Sequence, residues 1–201
     1  MNNVYITNIP LQGNRDLEKC FYETKNLKIE DNFETSFPII PVIKNRENIN
    51  APVKVIVIRT LNADTEINFG KFKNELKEIG ISEDVITEIG IPENQLDVID
   101  KRCILSIIDA IPENSLVTTD ITYGTKPMSA VLIYAMNLID KIKFAEVDKV
   151  VYGEVVRKNG KPTGKYAMYD LTNFIYMTQL VDNLNALGIV NKRKLLEELL
   201  D

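Results

Sequence analysis

Hydrophobic positions along this chain follow two different periods. Val53 to Ile58 (Val-Lys-Val-Ile-Val-Ile) is almost continuously β-branched, the pattern of a strand buried on both faces of a parallel sheet. Val4 to Thr7, Val85 to Ile91, Leu116 to Ile121 and Lys149 to Val156 read as further short strands. Phe69, Phe72, Leu76 and Ile79 recur at helical spacing, Gly80 is a C-terminal stop, and Thr60 to Thr65 before them reads as a loop. Leu96 to Ile111 keeps the helical period until Pro112. Pro127 to Ile142 predicts one helix, apolar along Val131, Leu132, Tyr134, Ala135 and Leu138. Asn173 to Leu187 predicts a helix closed by Gly188, and Asn191 is placed to cap a short last helix, Lys192 to Leu200.

Other segments are less regular. Asn8 to Asn14 is turn-rich. Asp16 to Tyr22 either starts a helix or stays irregular, and residues 23–36 are too polar to assign. Phe37 to Ile43 is apolar but interrupted by Pro38 and Pro41, so an edge strand or extended segment is expected. Asn159-Gly160 marks a hairpin turn, with Tyr166 to Tyr169 returning as the partner strand. This alternation of strands and helices predicts an α/β fold with a mainly parallel sheet, helices on both faces and an antiparallel hairpin at one edge. That is a Rossmann-like arrangement.

Composition narrows the function. A chain of 201 residues suits one domain, or one domain with a small appendage. No apolar run approaches the ~18 residues of a membrane span, and Met1 to Ile6 lacks the pattern of a signal peptide. Cys20 and Cys103 are far apart with no metal-like spacing; two reduced thiols in a cytoplasmic protein is the expectation. The net charge of −5 argues against a chain that coats DNA or RNA, so no direct DNA binding is expected. A small anion is still compatible with it, because a helix N-terminus and one lysine make a local positive site. The chain has no histidine, which excludes Ser-His-Asp and Cys-His catalysis, histidine-ligated zinc and histidine general bases. No metal and no cofactor is expected.

The most informative segment is Leu116 to Ser129, a strand followed by a tight polar loop and a helix start. In open α/β sheets, ligands bind beyond the carboxyl ends of the strands, beside helix N-termini. Gly124 permits close approach of backbone or a positive φ. Thr122, Thr125 and Ser129 offer hydroxyls, and Lys126 a full positive charge. Pro127 fits the first helical turn, where its missing N–H costs nothing, and Asp120 suits an Asx turn that orients the loop. A capped turn with a solvated Lys126 is equally compatible with these residues. The loop is neither a G-x-x-x-x-G-K phosphate loop nor a G-x-G-x-x-G turn.

The run Asp120-Ile121-Thr122-Tyr123-Gly124-Thr125-Lys126-Pro127-Met128-Ser129 resembles the loop of CRISPR-associated Rossmann-fold (CARF) domains, which often reads Asp-hydrophobic-Thr-Gly-Gly-Thr-Lys-x-Met. Tyr123 stands where many members carry the first glycine. Val150-Val151-Tyr152-Gly153-Glu154 and Tyr169-Asp170-Leu171-Thr172 are similar to later segments of the family. The resemblance covers most of residues 1–190; residues 191–201 form a C-terminal helix. It implies a homodimeric sensor of cyclic oligoadenylate in type III CRISPR defence, cyclic tetra-adenylate before hexa-adenylate, with the ring lying across the two-fold axis. Carried over by motif, Gly124, Thr125 and Lys126 would hold phosphate and ribose, with Thr122, Tyr123, Met128 and Ser129 beside them. By position after a strand, Asn8, Ile9, Gln12 and Gly13 would face adenine or ribose, and Thr60, Leu61 and Asn62 would line the same cleft. Glu154 is either a ligand contact or a solvated hairpin residue.

The family's frequent effector domains need histidines that this chain lacks, and the stretch after Leu187 is too short for a folded nuclease. The expectation is therefore a stand-alone CARF protein or the sensor half of a longer one, acting through an effector. A ring nuclease is the alternative: attack of a ribose 2′-OH on the adjacent phosphate needs positioning and charge stabilisation, not a metal, with Lys126 and Thr125 as the catalytic groups. A generic Rossmann-like enzyme using a mononucleotide is the third reading.

Overall fold

The computed structural model describes residues 1–11, 17–47, 50–94 and 100–200, with side chains as far as residue 198. Among these, seven strands form one sheet: β1 (Asn2–Asn8), β2 (Tyr22–Thr24), β3 (Val53–Thr60), β4 (Ile86–Ile91), β5 (Ser115–Asp120), β6 (Glu146–Lys158) and β7 (Lys161–Asp170). Their spatial order is β2-β7-β6-β5-β1-β3-β4. From β4 through β6 the neighbours are parallel. β7 returns antiparallel to β6, and β2 lies parallel to β7 at the edge. This is the Rossmann-like α/β architecture that the sequence pattern predicts. From β1 the chain moves outward through β3 to β4, then crosses back to β5 and β6. The order therefore reverses between β1 and β5, where ligands bind in such sheets.

Helices cover both faces. Residues of β1 alternate between them, as a strand requires: Val4 and Ile6 join one core, Tyr5 the other. On the first face lie α3 (Lys101–Ala110), α4 (Lys126–Met136), α5 (Ile139–Lys143) and α6 (Asn173–Ala186), through Ile107, Leu132, Ile139 and Ile175. On the second lie α1 (Ile39–Lys44) and α2 (Ala63–Glu78), through Ile40, Ile43, Phe72 and Leu76. A last helix, α7, spans Lys192–Leu200. Among the described residues no helix is long and apolar enough to cross a membrane.

Several boundaries differ from the sequence expectation. Residues 37–43 were expected to be extended, yet they carry α1. Pro38, at φ −54° and ψ −28°, is the N-cap, and Pro41 is the third helical residue. An N–H there has no intrahelical acceptor, so neither proline removes a helical hydrogen bond. Burial of Ile39, Ile40, Val42 and Ile43 then fixes the helix. Thr60 to Thr65 is not all loop: Thr60 ends β3, and Asn62 caps α2 by accepting from the Thr65 amide at 3.0 Å. The long helix expected from Pro127 to Ile142 is broken at Asn137: its backbone and side-chain N–H groups both donate to the Ile133 carbonyl, at 3.2 and 3.0 Å, and the Leu138 N–H turns to the Ala135 carbonyl at 2.9 Å instead of continuing the ladder. Helix α3 starts at Lys101 with Asp100 as its cap; residues 96–99 of the expected helix lie outside the described part.

Candidate functional site

The two central strands end in polar residues, Thr7-Asn8 on β1 and Thr119-Asp120 on β5. Asp120 has no solvent exposure. Its Oδ1 accepts the Thr122 amide at 2.8 Å and its Oδ2 accepts the Thr7 hydroxyl at 3.2 Å. The first bond is the Asx turn expected of this residue. Burial raises the Asp120 pKa to about 6, against the lowering effect of the Thr122 and Thr7 hydrogen bonds.

Two further bonds fix the loop. The Thr122 hydroxyl oxygen accepts the Gly153 amide of β6 at 2.7 Å. The Tyr123 hydroxyl donates to the Ser36 carbonyl at 2.7 Å, and its ring lies 6.1 Å from that of Phe37 in an edge arrangement. Tyr123 thus points inward, with burial pushing its pKa up, and it anchors the loop to the segment before α1. Gly153 is needed for this closeness: a Cβ there would lie 2.5 Å from Pro38 Cγ and 3.2 Å from Thr122 Cγ2.

Beyond Tyr123 the chain reaches the N-terminus of α4. Gly124 has φ +93°, and a Cβ on it would meet Asn8 Cγ at 3.0 Å. Thr125 is the N-cap, its hydroxyl oxygen accepting the Met128 amide at 3.4 Å. Lys126 and Pro127 open the helix, Lys126 is exposed, and the first turn holds no acidic residue. The Ser129 hydroxyl is turned back to the Ile121 carbonyl at 3.4 Å.

Asn8, Ile9, Thr60, Gly124, Thr125 and Met128, all candidates from the sequence, line one small cavity of about 10 Å³. Asn8 is 2% exposed, and among the described residues its Nδ2 has no hydrogen-bond partner. The cavity is close to the ~10–15 Å³ that a single water molecule needs. An unpaired buried donor costs about 1–3 kcal/mol, so a ligand atom that accepts from Asn8 would recover that cost.

The remaining candidates are placed differently. Met128 is 1% exposed and belongs to the core. Thr60 is buried, and its carbonyl accepts the Thr65 hydroxyl. The Asn62 side chain is committed to the α2 cap and to Glu93, 2.9 Å away. Leu61 is exposed and lies against Gly90. Glu154, half-buried on β6, engages the Tyr169 hydroxyl, whose pKa this carboxylate raises. Gln12 and Gly13 lie outside the described residues. Sequence reasoning missed Thr7, which locks the two strand ends together. The polar termination of two otherwise apolar strands is the pattern that would have found it.

No family model matches the chain, and no curated protein matches it.

Proposed function

We propose that the loop Ile121–Lys126 binds cyclic oligoadenylate across a homodimer of this chain, as a sensor in type III CRISPR antiviral defence. Cyclic tetra-adenylate is the favoured ring. The observation that carries the reading is Lys126 at the first position of α4. A cation at a helix N-terminus opposes the macrodipole, at a cost of about 0.3–1 kcal/mol. No acidic residue in the first turn offsets it, and among the described residues Lys126 forms no ion pair. The α4 N-terminus with its lysine and the Asn8 side chain lie at the carboxyl ends of β5 and β1, where the strand order reverses. A phosphate beside the α4 N-terminus would be favoured by the helix dipole and by the lysine charge. A ring with two-fold symmetry suits an isologous dimer, since each contact is then made twice.

The experiment is calorimetric titration of the wild-type chain and of Lys126→Ala with cyclic tetra-adenylate. Loss of a charge-assisted hydrogen bond, about 1.5–3 kcal/mol, lowers affinity at least tenfold. Equal affinities would remove Lys126 from the site.

A further inference from the structure

β6 and β7 run on past the sheet that they belong to. β5, the parallel neighbour of β6, ends at Asp120, opposite Val151. The two strands stay paired with each other as far as Lys158 and Lys161. Residues 157–165 are all exposed, so this ribbon adds nothing to the core. A two-stranded ribbon alone is marginal in water. Packing therefore gives no reason for its length. Asn159 at φ 51° and Gly160 at φ 76° make its turn, the pair of positive φ values of a tight hairpin. The Thr163 hydroxyl donates to the Val156 carbonyl at 2.8 Å.

The ribbon reads Arg157-Lys158-Asn159-Gly160-Lys161-Pro162-Thr163-Gly164-Lys165. It holds four cations and no acid. Among the described residues none of the four is in an ion pair; Lys165 acts on the Glu23 carboxylate only as a secondary influence. Lys158 and Lys161 stand directly opposite each other across the two strands, an arrangement of like charges that destabilises a hairpin. The chain's net charge is −5, so removing these four positive charges leaves −9 on the remainder. Positive charge is concentrated on an arm whose stability it lowers.

We propose that the ribbon Arg157–Lys165 is a docking arm for the phosphate backbone of a nucleic-acid duplex. A protein partner would require a buried aromatic or aliphatic anchor, and the ribbon offers none among its nine residues. Phosphate contacts are made by Lys and Arg donors, which it has in Arg157, Lys158, Lys161 and Lys165. A two-stranded ribbon also fits a B-form major groove, about 12 Å wide. The net charge that argues against a coated surface does not oppose this contact, because the acidic body restricts it to the tip. The arm is separate from the α4 loop, so this proposal stands or falls apart from oligoadenylate binding.

The test is fluorescence anisotropy of a labelled 24-base-pair DNA duplex with the full chain at 50 and 200 mM salt. With about four phosphates neutralised, log K falls against log salt with a slope near −3.6, a loss of about 150-fold over that range. The variant Arg157→Ser, Lys158→Ser, Lys161→Ser, Lys165→Ser changes only exposed side chains. It is expected to keep the wild-type circular dichroism spectrum and to bind at least tenfold more weakly at 50 mM salt. Absence of duplex binding at 50 mM salt, or equal binding by the folded variant, would overturn the proposal. Equal affinity for a polyglutamate peptide would overturn the nucleic-acid assignment in favour of an acidic protein.

Discussion

The Thr7 hydroxyl donates to Oδ2 of Asp120 at 3.2 Å, joining β1 to β5 where the strand order reverses. The same carboxylate holds the Thr122 amide through its other oxygen. One buried acid therefore sets both the spacing of the two strands and the start of the loop that leads to Lys126.

This acid gives the protein a pH dependence of definite sign. Burial raises the folded-state pKa of Asp120 to about 6, above the ~3.9 of an unfolded aspartate. Between these values the folded chain keeps a proton that the unfolded chain has released. The contribution of Asp120 to stability is therefore greatest at low pH and falls as pH rises from about 4 to 6, by roughly 2–3 kcal/mol in all. Asp120→Asn keeps an acceptor for the Thr122 amide and removes the ionisation. Urea unfolding across pH 4–8 should show a flatter profile for this variant, and at pH 8 a stability at least equal to wild type. An unchanged profile would mean that Asp120 does not titrate in that window.

Gly124→Ala separates backbone strain from contact. Forcing an L-residue to φ +93° costs about 1–2 kcal/mol, and the new Cβ presses on Asn8. Gly160→Ala, at φ +76° with nothing within 4 Å, carries the strain alone. Chemical denaturation should show the larger loss for Gly124→Ala, and titration should show weaker oligoadenylate binding in that variant only.

Tyr123→Phe tests the inward orientation of that side chain. It removes the 2.7 Å bond to the Ser36 carbonyl and should cost about 1 kcal/mol of stability. Oligoadenylate affinity should be unchanged, because the hydroxyl faces the protein. A large loss of affinity without loss of stability would place Tyr123 on the ligand instead.

The parts of the fold that the sequence revealed are those whose causes are local. Val53 to Ile58 is β-branched throughout, and β3 follows. Asn159-Gly160 is a hairpin turn by composition, and β6 and β7 meet there. Helix α1 was hidden because its prolines read as helix breakers until their place at its start is known. β2 was hidden because three residues, Tyr22–Thr24, carry no period and pair with β7 more than 140 residues away. At the site, the sequence indicated Gly124, Thr125 and Lys126 through residue type alone. It did not indicate that Tyr123 turns inward to Ser36, that Asn62 also engages Glu93, or that Asn8 has a buried donor without a partner among the described residues, since each depends on the folded arrangement of distant segments.

The most direct test of the central claim is calorimetric titration of the wild-type chain with cyclic tetra-adenylate, followed by chromatography of the recovered ligand. The account predicts tight binding at one ring per two chains, with the ring recovered intact. Recovery of linear fragments would contradict the sensor assignment in favour of a ring nuclease. No binding of cyclic tetra-adenylate, or of hexa-adenylate in a parallel titration, would contradict the proposed ligand altogether.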